Sequence, residues 1–146
     1  MRAEVLRMYE TSMLAVCIWR EARGEGANGM RAVACVIRNR ARAGWRGGSW
    51  VGNIVAPNQF TSMKVRGDNM LVQWPRPDIN PRPLADVFAF EIADSFFTGD
   101  PPDITGGALY FRNPQSATSA WFEREIVQKP GVHPETARIG NHVFYA

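Results

Sequence analysis

Apolar residues recur with helical spacing near the start of the chain and predict a helix over residues 4–23. Three apolar residues and one acidic residue share one face of this helix, at positions i, i+3, i+4 and i+7: Leu14, Cys17, Ile18 and Glu21. A carboxylate on such a face costs free energy unless it is partnered or faces a cleft. Glu21 is therefore the residue that most needs an explanation.

A second helix is predicted over residues 28–43, and most of its circumference is apolar. A helix of this kind is usually buried at the centre of a domain. The remaining surface carries Arg31, Arg38 and Arg42, which we interpret as a solvated face. Asn39 lies among apolar neighbours, and we interpret its amide as a buried group that ties down a loop.

The rest of the chain predicts one more long helix, over residues 82–97, and several short elements. The stretch over residues 44–80 is rich in Gly and Pro and predicts a functional loop or a small β-region. The short elements are strands over residues 49–55, 59–65, 107–112 and 142–145 and a helix over residues 117–127. The predicted fold class is α+β, dominated by helices, in a single domain over residues 1–146.

The charge of the chain is mildly basic. There are 17 Lys and Arg against 14 Asp and Glu, a net charge of +3. Such an excess suits an anionic polymer, but the lack of a dense basic run argues against a nucleic-acid partner. No apolar run approaches the roughly 18 residues of a membrane span. The charged N-terminus is unlike a secretory signal, so we expect synthesis and retention in the cytoplasm.

The sequence offers little for metal or nucleophilic chemistry. His133 and His142 are the only histidines, and no metal-binding spacing or nucleophile motif is present. We therefore expect no metal and no cofactor. Cys17 and Cys35 lie in apolar runs and are interpreted as reduced core thiols, although a bridge between them stays open.

Acid–base catalysis by a carboxyl group is the class of chemistry that remains after metal and nucleophilic chemistry. Burial in an apolar wall raises the pKa of a carboxyl group, and glycoside cleavage needs such a group as its general acid. Glu21 fits this role. The alternative is a structural ion pair with Arg20 or Arg23, which would lower its pKa. We interpret Glu25, which follows the helix, as a capping carboxylate for the free N–H groups of the next helix.

Five polar residues at loop or strand ends are candidates for binding a sugar. Such groups hydrogen-bond hydroxyl and N-acetyl groups, but they equally satisfy turns. They are Gln59, Tyr110, Asn113, Asn141 and His142.

Several segments together resemble one known family, the SleB-type cell-wall hydrolases of spore-cortex lytic enzymes and phage. The resemblance runs from about residue 12 to residue 145. The segments are Glu21-Ala22-Arg23-Gly24-Glu25-Gly26, Ala32-Val33 through Val36 to Asn39-Arg40, Pro57-Asn58-Gln59-Phe60-Thr61, Gly107-Ala108-Leu109-Tyr110-Phe111, Trp121, and Ile139-Gly140-Asn141-His142-Val143-Phe144-Tyr145.

The resemblance implies a lysozyme-like fold, similar to lytic transglycosylases and resuscitation-promoting factors. The reaction that it implies is cleavage of the MurNAc–GlcNAc β-1,4 bond of peptidoglycan with formation of 1,6-anhydro-MurNAc. The first Glu of the family's Glu-Ala-Arg-Gly-Glu motif is its catalytic acid, which maps to Glu21. One carboxylate then acts as acid and afterwards as base.

Two alternatives stay open. A hydrolytic muramidase would need a second carboxylate, for which Asp68 and Asp78 are the candidates. A non-catalytic module that binds cell wall or nucleic acid is the other. The biological expectation is a monomeric phage endolysin with bacteriolytic, antimicrobial action. It would be made in the host cytoplasm, would not insert into membranes, and would reach the glycan strand in the periplasm or after release.

Overall fold

The computed structural model of the chain describes residues 2–56, 60 and 84–146. Within them a helical layer packs against a small antiparallel sheet of strand order β1-β3-β2. The helices are α1 (Ala3–Ala22), α2 (Gly26–Arg42), α3 (Trp50–Val55), α4 (Leu84–Thr98) and α5 (Ala120–Phe122), and the strands are β1 (Tyr110–Arg112), β2 (Glu135–Ile139) and β3 (His142–Tyr145). The predicted helix-dominated α+β class is confirmed.

The long predicted helices agree with α1, α2 and α4 to within two residues at each end. The apolar face of α1 is buried as its spacing predicts, since Leu14, Cys17 and Ile18 are fully inaccessible to solvent. A 3-10 turn, Arg23–Glu25, follows α1. None of the described helices is long and apolar enough to cross a bilayer.

Helix α2 is buried on nearly all sides. Its residues 32–38 are all buried, and they contact α1 and α4 on one side of the helix. On the other side, Ala32 and Val36 pack against Ala108 and against Phe144 of β3. Helix α2 therefore joins the helical layer to the sheet.

The interpretation of Arg38 as part of a solvated face is wrong. The side chain of Arg38 is 3% exposed, and its guanidinium lies 4.8 Å from the ring centroid of Phe96. Arg38 also donates a 2.8 Å hydrogen bond to Asp100, so a buried cation is paired at the rim of the core. Arg31 and Arg42 are exposed, as expected.

The strand predicted over residues 49–55 is also wrong, because these residues form α3. Ser49 caps this helix, since its hydroxyl accepts a hydrogen bond from the backbone N–H of Gly52 at 2.9 Å. Asn53 further ties the helix to the preceding turn by donating to the carbonyl of Trp45. The strand predicted over residues 59–65 lies outside the described residues apart from Phe60, which is buried.

Strand β2 was not predicted from the sequence. It pairs with β3 through a turn at Gly140, which has a φ of +58°. The Glu25 carboxylate packs against this turn and accepts the backbone N–H of Asn141 at 2.6 Å. Glu25 occupies the N-cap position of α2, but its side chain makes no capping hydrogen bond there. The capping interpretation of Glu25 is therefore corrected: its carboxylate binds the hairpin turn.

Both cysteines are free and buried. Burial raises the pKa of the Cys17 thiol well above its usual value, and it also raises the pKa of Cys35. The described structure thus has two neutral thiols in the core, as interpreted from the sequence.

The contact between Gly140 and Glu25 gives a stability prediction. A Cβ at Gly140 would overlap Oε2 of Glu25, whereas a Cβ at Gly107, which also has a positive φ (+83°), would meet open space. The left-handed backbone costs either alanine roughly 1–2 kcal/mol. We expect Gly140→Ala to lose about 1–3 kcal/mol more than Gly107→Ala, because it also displaces the hydrogen-bonded carboxylate. Urea unfolding measures both, and equal losses would contradict the proposed contact.

A second prediction concerns His142, which is buried in β3 between Phe111 and Phe144. Burial lowers the pKa of His142, and the charge of Glu25 offsets part of this effect. The unfolded chain therefore takes up a proton at a pH where the folded protein does not, so the contribution of His142 to stability is greatest above about pH 6.5 and falls as the pH drops. We expect His142→Asn to lose less unfolding free energy than the parent on acidification. Parallel pH slopes in the two proteins would refute this.

Candidate active site

A cleft of about 630 Å³ opens where the end of α1, the end of α2, β1 and the residues before α5 meet. Its described lining combines charged, hydroxyl and aromatic side chains. The lining residues are Glu21, Arg40, Trp45, Phe60, Tyr110, Phe111, Arg112, Asn113, Ser116, Ala117, Thr118, Ser119, Trp121, Phe122 and His142.

Glu21 enters this cleft from the last turn of α1. The buried face of the helix continues into it, so the side chain is half-buried rather than solvated. Among the described residues that line the cleft, Glu21 is the only carboxylate. Burial of a carboxyl group favours its neutral form, which is the form that can donate a proton.

Arg40 of α2 lines the same cleft, and it is 5% exposed. Its Nε donates a 2.8 Å hydrogen bond to the carbonyl of Leu109. Its guanidinium lies over the rings of Trp45 and Phe60, at 5.1 and 5.3 Å from their centroids. Burial lowers the pKa of Arg40 to about 10, with Tyr110, Cys17 and Glu21 acting in the opposite direction. Arg40 is therefore a fixed, desolvated cation within the electrostatic range of Glu21.

Arg40 was not predicted as a site residue, although its position on α2 carries a signal. Ala32, Val36 and Arg40 are spaced by four residues on one buried stripe of α2. A similar helical spacing places Glu21 on the buried face of α1. A charged residue on the buried stripe of a central helix could have been selected on that ground.

Asn39, next to Arg40, holds the loop that leads into β1. Its Nδ2 donates to Oδ2 of Asp103 at 2.9 Å and to the carbonyl of Ala108 at 3.0 Å. Asp103 also accepts hydrogen bonds from Thr105 and from the backbone N–H of Gly107. Burial alone would raise the pKa of Asp103, but these hydrogen bonds lower it overall. The end of α2 thus sets the position of β1, which carries Tyr110.

Three of the five candidate sugar-binding residues line the cleft with Glu21: Tyr110, Asn113 and His142. Tyr110 packs edge-on against Trp45 and His133, with centroid distances of 5.6 and 5.1 Å. Asn113 also shapes a turn, since its Oδ1 accepts the backbone N–H of Gln115. The Nδ1 of His142 is buried without a hydrogen-bond partner among the described residues.

The other two candidates are not brought to the described part of the cleft. Asn141 is exposed at the hairpin turn, where its backbone N–H binds Glu25. Gln59 lies outside the described residues, as do Asp68 and Asp78, the candidate second carboxylates of a hydrolase.

One wall of the cleft was not predicted as a site. It comprises Arg112 on β1, residues 116–119, exposed Trp121 and Phe122. Arg112 is fixed by a 3.0 Å ion pair with Glu123 and by a hydrogen bond to the hydroxyl of Tyr145. Among the described residues, no group of three or more His, Cys, Asp or Glu is arranged to hold a metal ion.

Comparison with known proteins identifies the family. The sequence profile of the cell wall hydrolase family matches residues 24–145. The spore cortex-lytic enzyme of Oceanobacillus iheyensis is 30% identical over 135 residues, which are 92% of this chain and 41% of that protein. The spore cortex-lytic enzyme of Bacillus subtilis is 31% identical over 132 residues, which are 90% of this chain and 36% of that protein. The chain thus spans about two fifths of the length of these curated relatives.

Solved structures agree with this assignment. The catalytic domain of the germination-specific lytic transglycosylase SleB from Bacillus anthracis superimposes with a TM-score of 0.63 at 28% identity, covering 94% of this chain and 93% of that domain. The catalytic domain of the Bacillus cereus SleB protein gives a TM-score of 0.61, also at 28% identity, covering 94% of this chain and 89% of that one.

The family profile begins three residues after Glu21, at residue 24. The match to the Oceanobacillus relative covers 135 of the 146 residues and so includes position 21. Together the matches confirm the resemblance to the SleB-type enzymes and the expectation of an enzyme rather than a binding module. This chain belongs to the cell wall hydrolase family.

Proposed function

We propose that this protein is a peptidoglycan lytic transglycosylase that cleaves the MurNAc–GlcNAc β-1,4 bond, with Glu21 as its catalytic residue. The single observation that supports this most is that Glu21 is the only carboxylate among the described residues that line the cleft. A transglycosylase needs one carboxyl group, whereas a hydrolase of the usual kind needs two. The SleB catalytic domain that this chain resembles is itself named a lytic transglycosylase.

In the first step, protonated Glu21 donates its proton to the glycosidic oxygen as the C1–O bond breaks. The GlcNAc side leaves as a neutral alcohol, and positive charge develops at C1 of MurNAc. This step requires Glu21 to hold its proton when the substrate binds.

In the second step, the Glu21 carboxylate removes the proton from the C6 hydroxyl of the same MurNAc. The C6 oxygen then forms a bond to C1, which closes the 1,6-anhydro ring. Glu21 recovers its proton, so the cycle consumes no water.

Arg40 acts on this cycle through its charge. A fixed cation lowers the free energy of a nearby carboxylate relative to the neutral acid. Arg40 therefore stabilises Glu21 in the ionised state that links the two steps. Its hydrogen bond to the carbonyl of Leu109 and its contacts with the rings of Trp45 and Phe60 hold the guanidinium in place and shield it from solvent.

A hydrolytic muramidase is the second candidate for the reaction. It would use Asp68 or Asp78 to activate water, and both lie outside the described residues. The products separate the two reactions, because an anhydro end differs from a reducing end by one water.

We further propose that the enzyme is a monomeric, endolysin-like lytic protein. It would be made in the cytoplasm of a host cell infected by a phage, and it would act on the cell wall in the periplasm or after release. Peptidoglycan lies outside the inner membrane, so activity requires export or a membrane lesion. The net charge of +3 favours association with an anionic wall. Lysis of bacteria on expression, dependent on a co-expressed membrane-permeabilising protein, would support this role, and lysis that needs no such protein would contradict it.

Glu21→Gln is the direct test of the reaction. We expect loss of at least about 10³-fold in the rate of wall clearing, since glutamine cannot donate the proton. The melting temperature should stay close to that of the parent because the substitution is nearly isosteric. Mass spectrometry of the parent's digest should show anhydro-MurNAc ends.

Glu25→Gln is the matched control, because its remaining carbonyl oxygen can still accept the N–H of Asn141. It should keep most of the clearing activity. Clearing by Glu21→Gln at the parent's rate would overturn the assignment of Glu21. Reducing-end MurNAc in the parent's digest would instead support the hydrolase.

A pH profile tests Arg40. Activity needs protonated Glu21, so it falls as the pH rises and the group ionises. Removing the neighbouring cation in Arg40→Met should shift this alkaline limb to higher pH and slow the reaction. Arg40→Lys keeps the charge and should leave the limb near that of the parent. Thermal unfolding of both variants identifies any loss of fold, and an unshifted limb in a folded Arg40→Met protein would refute the electrostatic role.

A further inference from the structure

Trp121 is a large aromatic side chain exposed inside the cleft. It is 54% exposed, and of the large apolar residues exposed in the described structure it alone lines the cleft. The exposed part of the indole contributes no buried surface to the fold, and exposed apolar surface that is concentrated in a cleft commonly marks a binding site.

Contacts of the neighbouring residues hold the backbone of Trp121 in place. The next residue, Phe122, packs edge-on against Tyr110 and Tyr145, with centroid distances of 6.3 and 6.0 Å. Glu123 forms the ion pair with Arg112. On the other side, the hydroxyl of Ser119 accepts the backbone N–H of Phe122 at 3.1 Å and caps the short helix. The backbone that carries the indole is thus fixed on both sides of residue 121.

The surroundings of Trp121 suit a sugar ring. Three hydroxyl side chains, Ser116, Thr118 and Ser119, line the same wall of the cleft. A pyranose ring presents C–H groups on its faces and hydroxyl groups around its edge. A flat indole can cover the face while neighbouring hydroxyl groups bind the edge.

We propose that Trp121 is the stacking platform of a glycan subsite that binds a pyranose ring of the strand away from the bond that Glu21 cleaves. This proposal rests on the proposed function for the identity of the strand. The platform adds binding energy from a part of the substrate that does not react, and it helps to orient the scissile bond.

Binding to an inactivated protein tests the platform separately from the reaction. In a Glu21→Gln background, GlcNAc oligomers of increasing length are titrated by calorimetry. We expect Trp121→Ala to weaken binding of the longer oligomers about tenfold, the loss typical of a truncated aromatic anchor. Trp121→Phe should recover most of the affinity. Val132→Ala removes an exposed apolar side chain that does not line the cleft, so it should bind like the background protein.

Unchanged affinity in a folded Trp121→Ala protein would overturn the platform. So would a loss of affinity confined to fragments that carry stem peptides, or Trp121-dependent binding of a single-stranded oligonucleotide in place of the oligosaccharides. In the otherwise unchanged enzyme, Trp121→Ala should raise KM for soluble glycan more than it lowers kcat. If Glu21→Gln still cleaves glycan while binding depends on Trp121, the catalytic assignment fails and the subsite stands.

Discussion

Helix α2 packs against α1 and α4 on one side and against the sheet on the other, and the position of the cleft depends on this packing. An apolar helix buried on nearly all sides needs partners in several directions, so it brings distant segments of the chain together. Ala32 and Val36 hold the sheet through Phe144. At the end of the same helix, Asn39 and Arg40 bind the loop that leads into β1.

The electrostatics of the cleft follow from this arrangement. Glu21 lies in the last turn of α1, and Arg40 lies in the last turn of α2. The packing of the two helices therefore places a carboxyl group and a cation in the same cleft. Arg40 loses hydration on burial and receives a carbonyl and two aromatic faces in return. Its charge stays fixed in position while the charge of Glu21 changes during the proposed cycle.

The hairpin of β2 and β3 is held at its turn by Glu25, from the segment between α1 and α2. This link places the strand that carries His142 beside the cleft. The two acidic residues of the Glu-Ala-Arg-Gly-Glu segment therefore do different things. Glu21 faces the cleft, and Glu25 fixes the turn on which part of the cleft wall depends.

The sequence by itself determined the three long helices, the α+β class and the place of Glu21 at the end of the packing face of α1. Helical periodicity is visible in each segment alone, because each helix has to bury one face. Only the tertiary structure decided the rest. Residues 49–55 have β-forming side chains, yet the Ser49 cap and packing against the helical layer make them a helix. Strand β2 exists only through its pairing with β3. Arg38 contacts Phe96 and pairs with Asp100, and Arg40 donates to the carbonyl of Leu109; no local pattern specifies these partners, which lie some sixty residues away.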